Sequence, residues 1–190
     1  MDDTTITQTS AAFSLTCRVQ ANIRAKPETL WGLLTDAQGF PSWNSTVTGI
    51  DGQIREGQKI KVHAPGTERT FTPMVSGVKT NRRMMWTGGM PGLFKGLRTF
   101  ELVPRDDGST DFVMRERFSG LMLPLAKRSL PDFGPVFRQY ADDLKRAGEQ
   151  HDAERQAAQQ QAAEQQAAEQ QAAAAQRAAE HDDDQQAQAV

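Results

Sequence analysis

The stretch LRTFELVPRDDGSTDFVMRERF, running from Leu97 to Phe118, reads as two β-strands joined by a tight turn at Asp106-Asp107-Gly108. Gly108 stands where a three-residue hairpin loop takes a left-handed residue. With the pairing centred on Asp107, Leu102 faces Phe112, Phe100 faces Met114 and Arg98 faces Glu116. Strand side chains alternate between faces, so all of these share one side of the hairpin. That side is apolar and ends in a cation opposite an anion. The other carries Thr99, Glu101, Asp111, Val113, Arg115 and Arg117 and reads as solvated.

Upstream, residues 1–11 are polar and read as a frayed N-terminus. Phe13 to Ile23 alternates: Phe13, Leu15, Cys17, Val19, Ala21 and Ile23 form one face, the pattern of a half-buried strand. Pro27-Glu28 opens a short helix over 27–35, with Pro in the first turn and an acid near the positive helix end. Asp36 is the expected cap of a second helical turn closed by Gly39-Phe40-Pro41. Short extended segments follow: 47–54, 59–63, 69–78 interrupted by Pro73, and 84–87. After the hairpin, Leu130, Phe133, Phe137, Tyr140, Ala141, Leu144 and Ala147 recur every three or four residues, one apolar stripe of a helix. Ser129, Asp132 and Gly134 are alternative caps, and Gly148 is the expected stop.

The gaps between strands are too short for parallel crossovers, so the sheet is antiparallel. Its apolar face needs a cover, and the only long apolar stripe is that of the last helix. The fold class is therefore α+β.

Composition divides the chain. All Trp, Tyr, Phe and Pro lie before residue 151; the tail is nearly all Ala, Gln, Glu and Asp. The expected organisation is a frayed segment 1–11, one domain over 12–149, and a low-complexity acidic tail over 150–190 that is helical or disordered. The tail holds eight acidic and two basic residues, so the net charge of −2 hides a mildly basic domain. That charge, spread along the chain, is not a nucleic-acid footprint. Ala, Gln and Glu favour helix, but a coiled coil needs larger apolar residues at its seam, so a partner for the tail stays unknown.

The single cysteine, Cys17, precludes an internal disulfide and a Cys-based zinc site. His63, His151 and His181 are too scattered for a His-based metal site; no cofactor is expected. No run is apolar and long enough to span a bilayer. The N-terminus lacks the features of a signal peptide, which makes a cytoplasmic location the default.

At this point the residues carry a resemblance. An alternating strand, then Ala25-Lys26-Pro27-Glu28-Thr29-Leu30-Trp31-Gly32-Leu33-Leu34-Thr35-Asp36, then Phe40-Pro41-Ser42-Trp43-Asn44, resembles the opening of the SRPBCC (START-like, birch-pollen-allergen-like) superfamily. Arg83 to Gly89, Phe100-Glu101-Leu102 and Glu116 to Gly120 resemble its bacterial polyketide cyclase/dehydrase-like and lipid-transport-like members. The resemblance covers residues 13–148 and lies in the order of elements more than in any one motif. It implies a helix-grip fold: a seven-stranded antiparallel sheet around a long C-terminal helix, with a mostly apolar cavity between. The superfamily includes carriers, cyclases, oxygenase domains and co-chaperones, so the fold does not fix the function. The iron and Rieske ligands of the oxygenase branch are missing from this sequence.

If such a cavity exists, its lining is Trp86, Phe100, Leu102, Phe112, Met114 and Phe118 from the strands, with Phe133, Phe137 and Tyr140 from the helix. Large apolar residues also simply fill cores. Arg98 and Glu116 are the polar candidates: they orient a ligand, Glu116 acts as a general base, or they form a structural ion pair. His63 falls out of phase with Ile60 and Val62, on the solvent face, a poor place for an acid/base group. Cys17 reads as a small buried hydrophobe. Gly88-Gly89-Met90-Pro91-Gly92 resembles a gate loop, and Arg82-Arg83 and Lys127-Arg128 read as solvated. The first expectation is non-catalytic binding of a small hydrophobic molecule. The alternatives are a cyclase or dehydratase using Glu116, Arg98 or Tyr140, and a co-chaperone-like interaction protein.

Overall fold

The structure is a computed structural model; it describes residues 4–66, 70–126 and 132–187, those beyond 171 by backbone alone. The chain separates into two compact units, Met1–Asp152 and Ala153–Val190.

In the first unit, β1 (Thr5–Ala11), β2 (Ser14–Ile23), β6 (Met74–Lys79), β7 (Arg83–Met90), β8 (Phe94–Pro104) and β9 (Thr110–Ser119) form one antiparallel sheet in the order β1-β2-β9-β8-β7-β6. A second sheet holds β3 (Gly49–Asp51), β4 (Lys61–His63) and β5 (Thr70–Phe71). Helices α1 (Pro27–Thr35) and α2 (Phe40–Trp43) follow β2, α3 (Leu123–Ala126) follows β9, and α4 (Phe133–Ala187) closes the chain.

The hairpin has the expected register, with Arg98 opposite Glu116, Phe100 opposite Met114 and Leu102 opposite Phe112. Its loop is Asp106-Asp107-Gly108, closed by Arg105 N–H to Ser109 O and by Gly108 N–H to Arg105 O. Gly108 has φ +81°, which a side chain would make costly. β2 buries Leu15, Cys17, Val19, Ala21 and Ile23 on the inner face. The predicted helical stripe buries Phe137, Tyr140, Ala141, Leu144 and Ala147, with Phe133 packed beside them. In this unit, α4 lies on the inner face of the sheet: the Tyr140 ring stacks on Phe112 of β9, 6.2 Å between centroids. This is the helix-grip arrangement.

Several expectations need correction. The main sheet has six strands rather than seven, because residues 58–60 meet Pro73 and the start of β6 through isolated bonds (Ile60 N–H to Pro73 O, Val75 N–H to Gln58 O) and not as a full strand. Pro73, with no N–H to give, separates β5 from β6. Residues Thr5 to Ala11 are not frayed. They form edge strand β1, paired with β2 from Thr5–Gln20 to Ala11–Ser14. The strand is almost wholly exposed, so it has no apolar face to betray it, only β-favouring Thr and Ile. The second short helix starts at Phe40 rather than ending there, with Pro41 in its first turn.

Gly88 and Gly89 do not lie in a gate loop. They pair with Gly96 and Lys95 inside the β7–β8 hairpin. α4 does not stop at Gly148 either. That glycine is a packing residue: a Cβ there would collide with Leu30 of α1 and touch Ile23 and Ala25. Asp132 precedes α4 and accepts the Gly134 N–H at 3.0 Å, the role of a cap. Ser129, Leu130 and Lys127-Arg128 lie outside the described residues.

The second unit, from Ala153, is helical to Ala187, and its described side chains to Gln171 are all exposed.

Candidate functional site

Cross-strand pairing places the candidate residues in rows on the inner face of the sheet. Cys17, Glu116, Arg98 and Trp86 make one row across β2, β9, β8 and β7. The row on one side is Val19, Met114, Phe100 and Met84; beyond it come Ala21, Phe112 and Leu102. The row on the other side is Leu15, Phe118, Gly96 and Gly88. Phe133, Phe137 and Tyr140 face these rows from α4. The residues proposed from sequence as a lining are therefore together.

The rows divide the interior into two regions. The outer one centres on the ion pair. Arg98 Nη2 lies 2.5 Å and Nε 2.6 Å from Glu116 Oε2, with side-chain exposures of 24% and 12%. The guanidinium also sits 5.4 Å from the Phe137 ring centroid, within cation–π range. Gly96 and Gly88 carry no side chain over the adjoining row; a Cβ on Gly96 would touch Phe118 and Glu116 Oε1. A column of rings runs past these glycines. Phe94 stacks on Phe118 (5.7 Å), Phe118 on Phe133 (5.0 Å), and Phe133 meets Phe137 edge-on (6.1 Å). Only Phe137 of these is fully buried.

The column ends at an apolar rim. Phe13, Met90, Leu93, Leu121, Met122 and Leu125 are exposed there. Backbone bonds tie the rim together: Gly120 N–H to Phe13 O, Leu121 N–H to Gly92 O and Met122 N–H to Leu93 O.

The inner region is a cluster of rings around Phe40 and Phe100. Phe40 meets Trp43, Trp86 and Tyr140 at 4.7, 6.4 and 6.3 Å; Trp86 lies edge-on to Phe100 at 4.9 Å, and Trp43 edge-on to Tyr140 at 5.8 Å. Trp43 and Phe40 were not among the residues expected at the site. Their signal was the i, i+3 spacing on α2, which puts both rings on one face of that short helix. Trp43 Nε1, Trp86 Nε1 and Tyr140 Oη are buried and find no hydrogen-bond partner among the described residues. The same holds for Asn44 Nδ2, next to Trp43, and for Arg83 Nε.

The electrostatics follow from burial. Desolvation raises the Tyr140 phenol well above its ordinary range, opposed only by the Arg98 charge, so the group stays a neutral donor. The Cys17 thiol is pushed up to about 11 by burial first and then by the charges of Asp132 and Glu116, with Arg98 opposing. It remains a thiol and no nucleophile.

Asp143 has a different role. It is 1% exposed on the inner stripe of α4, and accepts the Ser45 N–H and hydroxyl (2.8 and 2.6 Å), Gln139 and Arg146. Burial alone would raise its carboxyl, yet these donors outweigh it and hold the group below the usual range. The carboxylate thereby ties the segment after α2 to α4.

His63 lies in the small sheet, with Nε2 3.0 Å from the exposed Asp51 carboxylate, and no other candidate residue joins it. Among the described residues, no group of His, Cys, Asp and Glu is arranged to hold a metal ion, and no helix is long and apolar enough to cross a membrane. A polar depression of about 260 Å³ lies on the opposite face of the sheet, lined by Thr5, Gln20, Asn22, Arg105 and Asp111. Arg105 and Asn22 are both bound to Asp111 there, and the depression does not touch the aromatic interior.

The fold matches known proteins. The chain belongs to the polyketide cyclase / dehydrase and lipid transport family, whose pattern it matches over residues 14–149. Among solved structures it resembles a protein of Mesorhizobium loti at 22% identity, covering 70% of this chain and 95% of that one, with TM-score 0.54. A protein of Rhodobacter sphaeroides is similar at 20% identity, with coverages of 74% and 95% and TM-score 0.55. DynU16, from the dynemicin biosynthetic locus, aligns at 16% identity over 68% of this chain and 45% of its own, with TM-score 0.53. These likenesses establish the fold. No curated protein matches the chain.

Proposed function

We propose that the protein binds a small hydrophobic molecule, lipid-like or aromatic, between the sheet and α4, without catalysis. One observation carries this reading. The inward-facing Arg98–Glu116 pair sits beside a half-exposed column of aromatic rings, next to a row in which Gly88 and Gly96 carry no side chain of their own. A simple core seldom places an ion pair on its inner face. Apolar walls with a few fixed polar groups are the common form of a ligand site. Trp86, Phe118, Phe133, Phe137 and Tyr140 would contact the ligand, and Phe100, Leu102, Phe112 and Met114 would back the wall. The family's association with lipid transport supports the same reading.

The cyclase or dehydratase alternative has less support. Glu116, its best base, is occupied by Arg98 Nε and Nη2, and neither Tyr140 nor Cys17 ionises near neutral pH.

Native mass spectrometry of freshly purified protein is the direct test. The expected result is a bound species of a few hundred daltons, released on denaturation, whose affinity changes in Glu116→Gln. A protein that carries nothing and takes up no member of a lipid and polycyclic panel would sink the proposal.

A further inference from the structure

The buried donors of the inner region point to a ligand class. We infer that the bound molecule carries neutral hydrogen-bond acceptors, as in a ketone, quinone or ester, received by Trp43 Nε1, Trp86 Nε1 and Tyr140 Oη. This rests on the hydrophobic-ligand reading and deepens it.

Trp43, Trp86 and Tyr140 are 6%, 4% and 1% exposed, so water does not freely solvate their polar atoms. None has a partner among the described residues. Buried polar groups are nearly always bonded, and an orphaned one is costly. Here the orphans share one ring cluster: Trp43 touches Tyr140, both touch Phe40, and Trp86 reaches the cluster through Phe40 and Phe100. Trp86 also pairs across the strands with Arg98, so this cluster adjoins the ion-pair row.

The chemistry of the donors excludes the other classes. Indole N–H only donates. The Tyr140 hydroxyl can do either, but burial keeps its proton on. A hydrocarbon would leave all of them unpaired. A carboxylate would need a countercharge, and the nearby cations, Arg98 and Arg146, are already matched by Glu116 and Asp143. A neutral carbonyl oxygen accepts more than one donor and brings no charge.

The test compares three molecules built on one skeleton: fluorene, 9-fluorenone and fluorene-9-carboxylate. Binding to the full-length protein is measured by equilibrium dialysis and corrected for each probe's octanol–water partition. The ketone should bind about tenfold more tightly than the hydrocarbon, the scale of one good hydrogen bond, and the carboxylate most weakly. In Tyr140→Phe and in Trp86→Phe the ketone-to-hydrocarbon ratio should fall towards one. The ratio is taken within each variant, so a general loss of packing cancels. Without ligand, Tyr140→Phe should melt no lower than wild type, since it deletes a group with no partner. A ratio near one in wild type, or one unchanged in both variants, overturns the ligand class and leaves the hydrophobic-ligand reading standing. Preference for the carboxylate does the same and moves the anchor to Arg98. Failure of all three probes to bind overturns both.

Discussion

The two ends of the inner face solve the problem of buried polarity in opposite ways. At the outer end, Arg98 and Glu116 are charged, partly exposed and bonded to each other. At the inner end, Trp43, Trp86 and Tyr140 are neutral and more deeply buried, and their side-chain donors have no partner among the described residues. Charge is tolerated where a countercharge and some water are at hand; unpaired neutral donors are tolerated deeper because their desolvation costs far less than that of an ion. Under the proposed function the ends have different work: the outer end would be a half-open approach lined with rings, the inner end the polar anchor.

The largest expected effect on this contrast comes from packing. Phe100→Ala at the inner end should cost about 3–5 kcal/mol, the usual range for a fully buried Phe. Phe118→Ala, half-buried at the outer end, should cost about 1–2 kcal/mol, in proportion to the area it buries. Equal losses in chemical denaturation would mean that both ends are ordinary core.

The ion pair comes next. Glu116→Gln keeps the shape and removes the countercharge to Arg98. The fold should survive with a loss of about 1–2 kcal/mol, less than for a fully buried pair because both groups keep some solvent screening. The loss should shrink at high salt. A salt-independent loss would show that the pair is shielded from solvent.

The smallest effect concerns pH. Asp143, Asp111 and Glu149 all have folded pKa values held below the usual range. Such groups stabilise the fold fully above the unfolded carboxylate value of about 4, and that contribution is lost as pH falls through the lower folded values. Stability should be flat from neutral pH to about 5 and fall steeply below 4. Asp143→Asn should flatten that acid limb, read from the pH dependence of the melting temperature. An unchanged limb would remove Asp143 from the clamp that holds the Trp43 segment to α4.

How much of this was legible depended on whether each feature left a period in the sequence. The hairpin register was legible because the apolar alternation of Phe100, Leu102, Phe112 and Met114 and the turn at Gly108 agree, and a slip of one residue would turn every side chain over. The α4 stripe was legible for the same reason. β1 was not, since Thr and Ser on both faces leave no alternation. Gly148 was misread because a glycine that stops a helix and one that lets another helix approach look alike in sequence. Trp43 is not legible as a site residue because the one-turn α2 offers a single i, i+3 pair, Phe40 and Trp43, and no repeat to confirm it. The orphaned donors were beyond sequence altogether, because satisfaction of a donor depends on what lies across the fold.

The pairing of β2 with β9 has a kinetic consequence. Strands β7, β8 and β9 are joined by short turns and can form early, whereas Ser14 must find Ser119 and Ile23 must find Thr110 across most of the domain. Loop closure of that length is entropically uphill before any contact repays it. The β7–β9 meander should therefore be formed in the folding transition state, with β2 added after it. Folding kinetics of variants at Phe112 and Val19 test this order: high φ-values at Val19 would reverse it. On this view the strand that joins edge strand β1 to the β7–β9 meander is a late arrival, and the ring-lined interior exists only once it has closed.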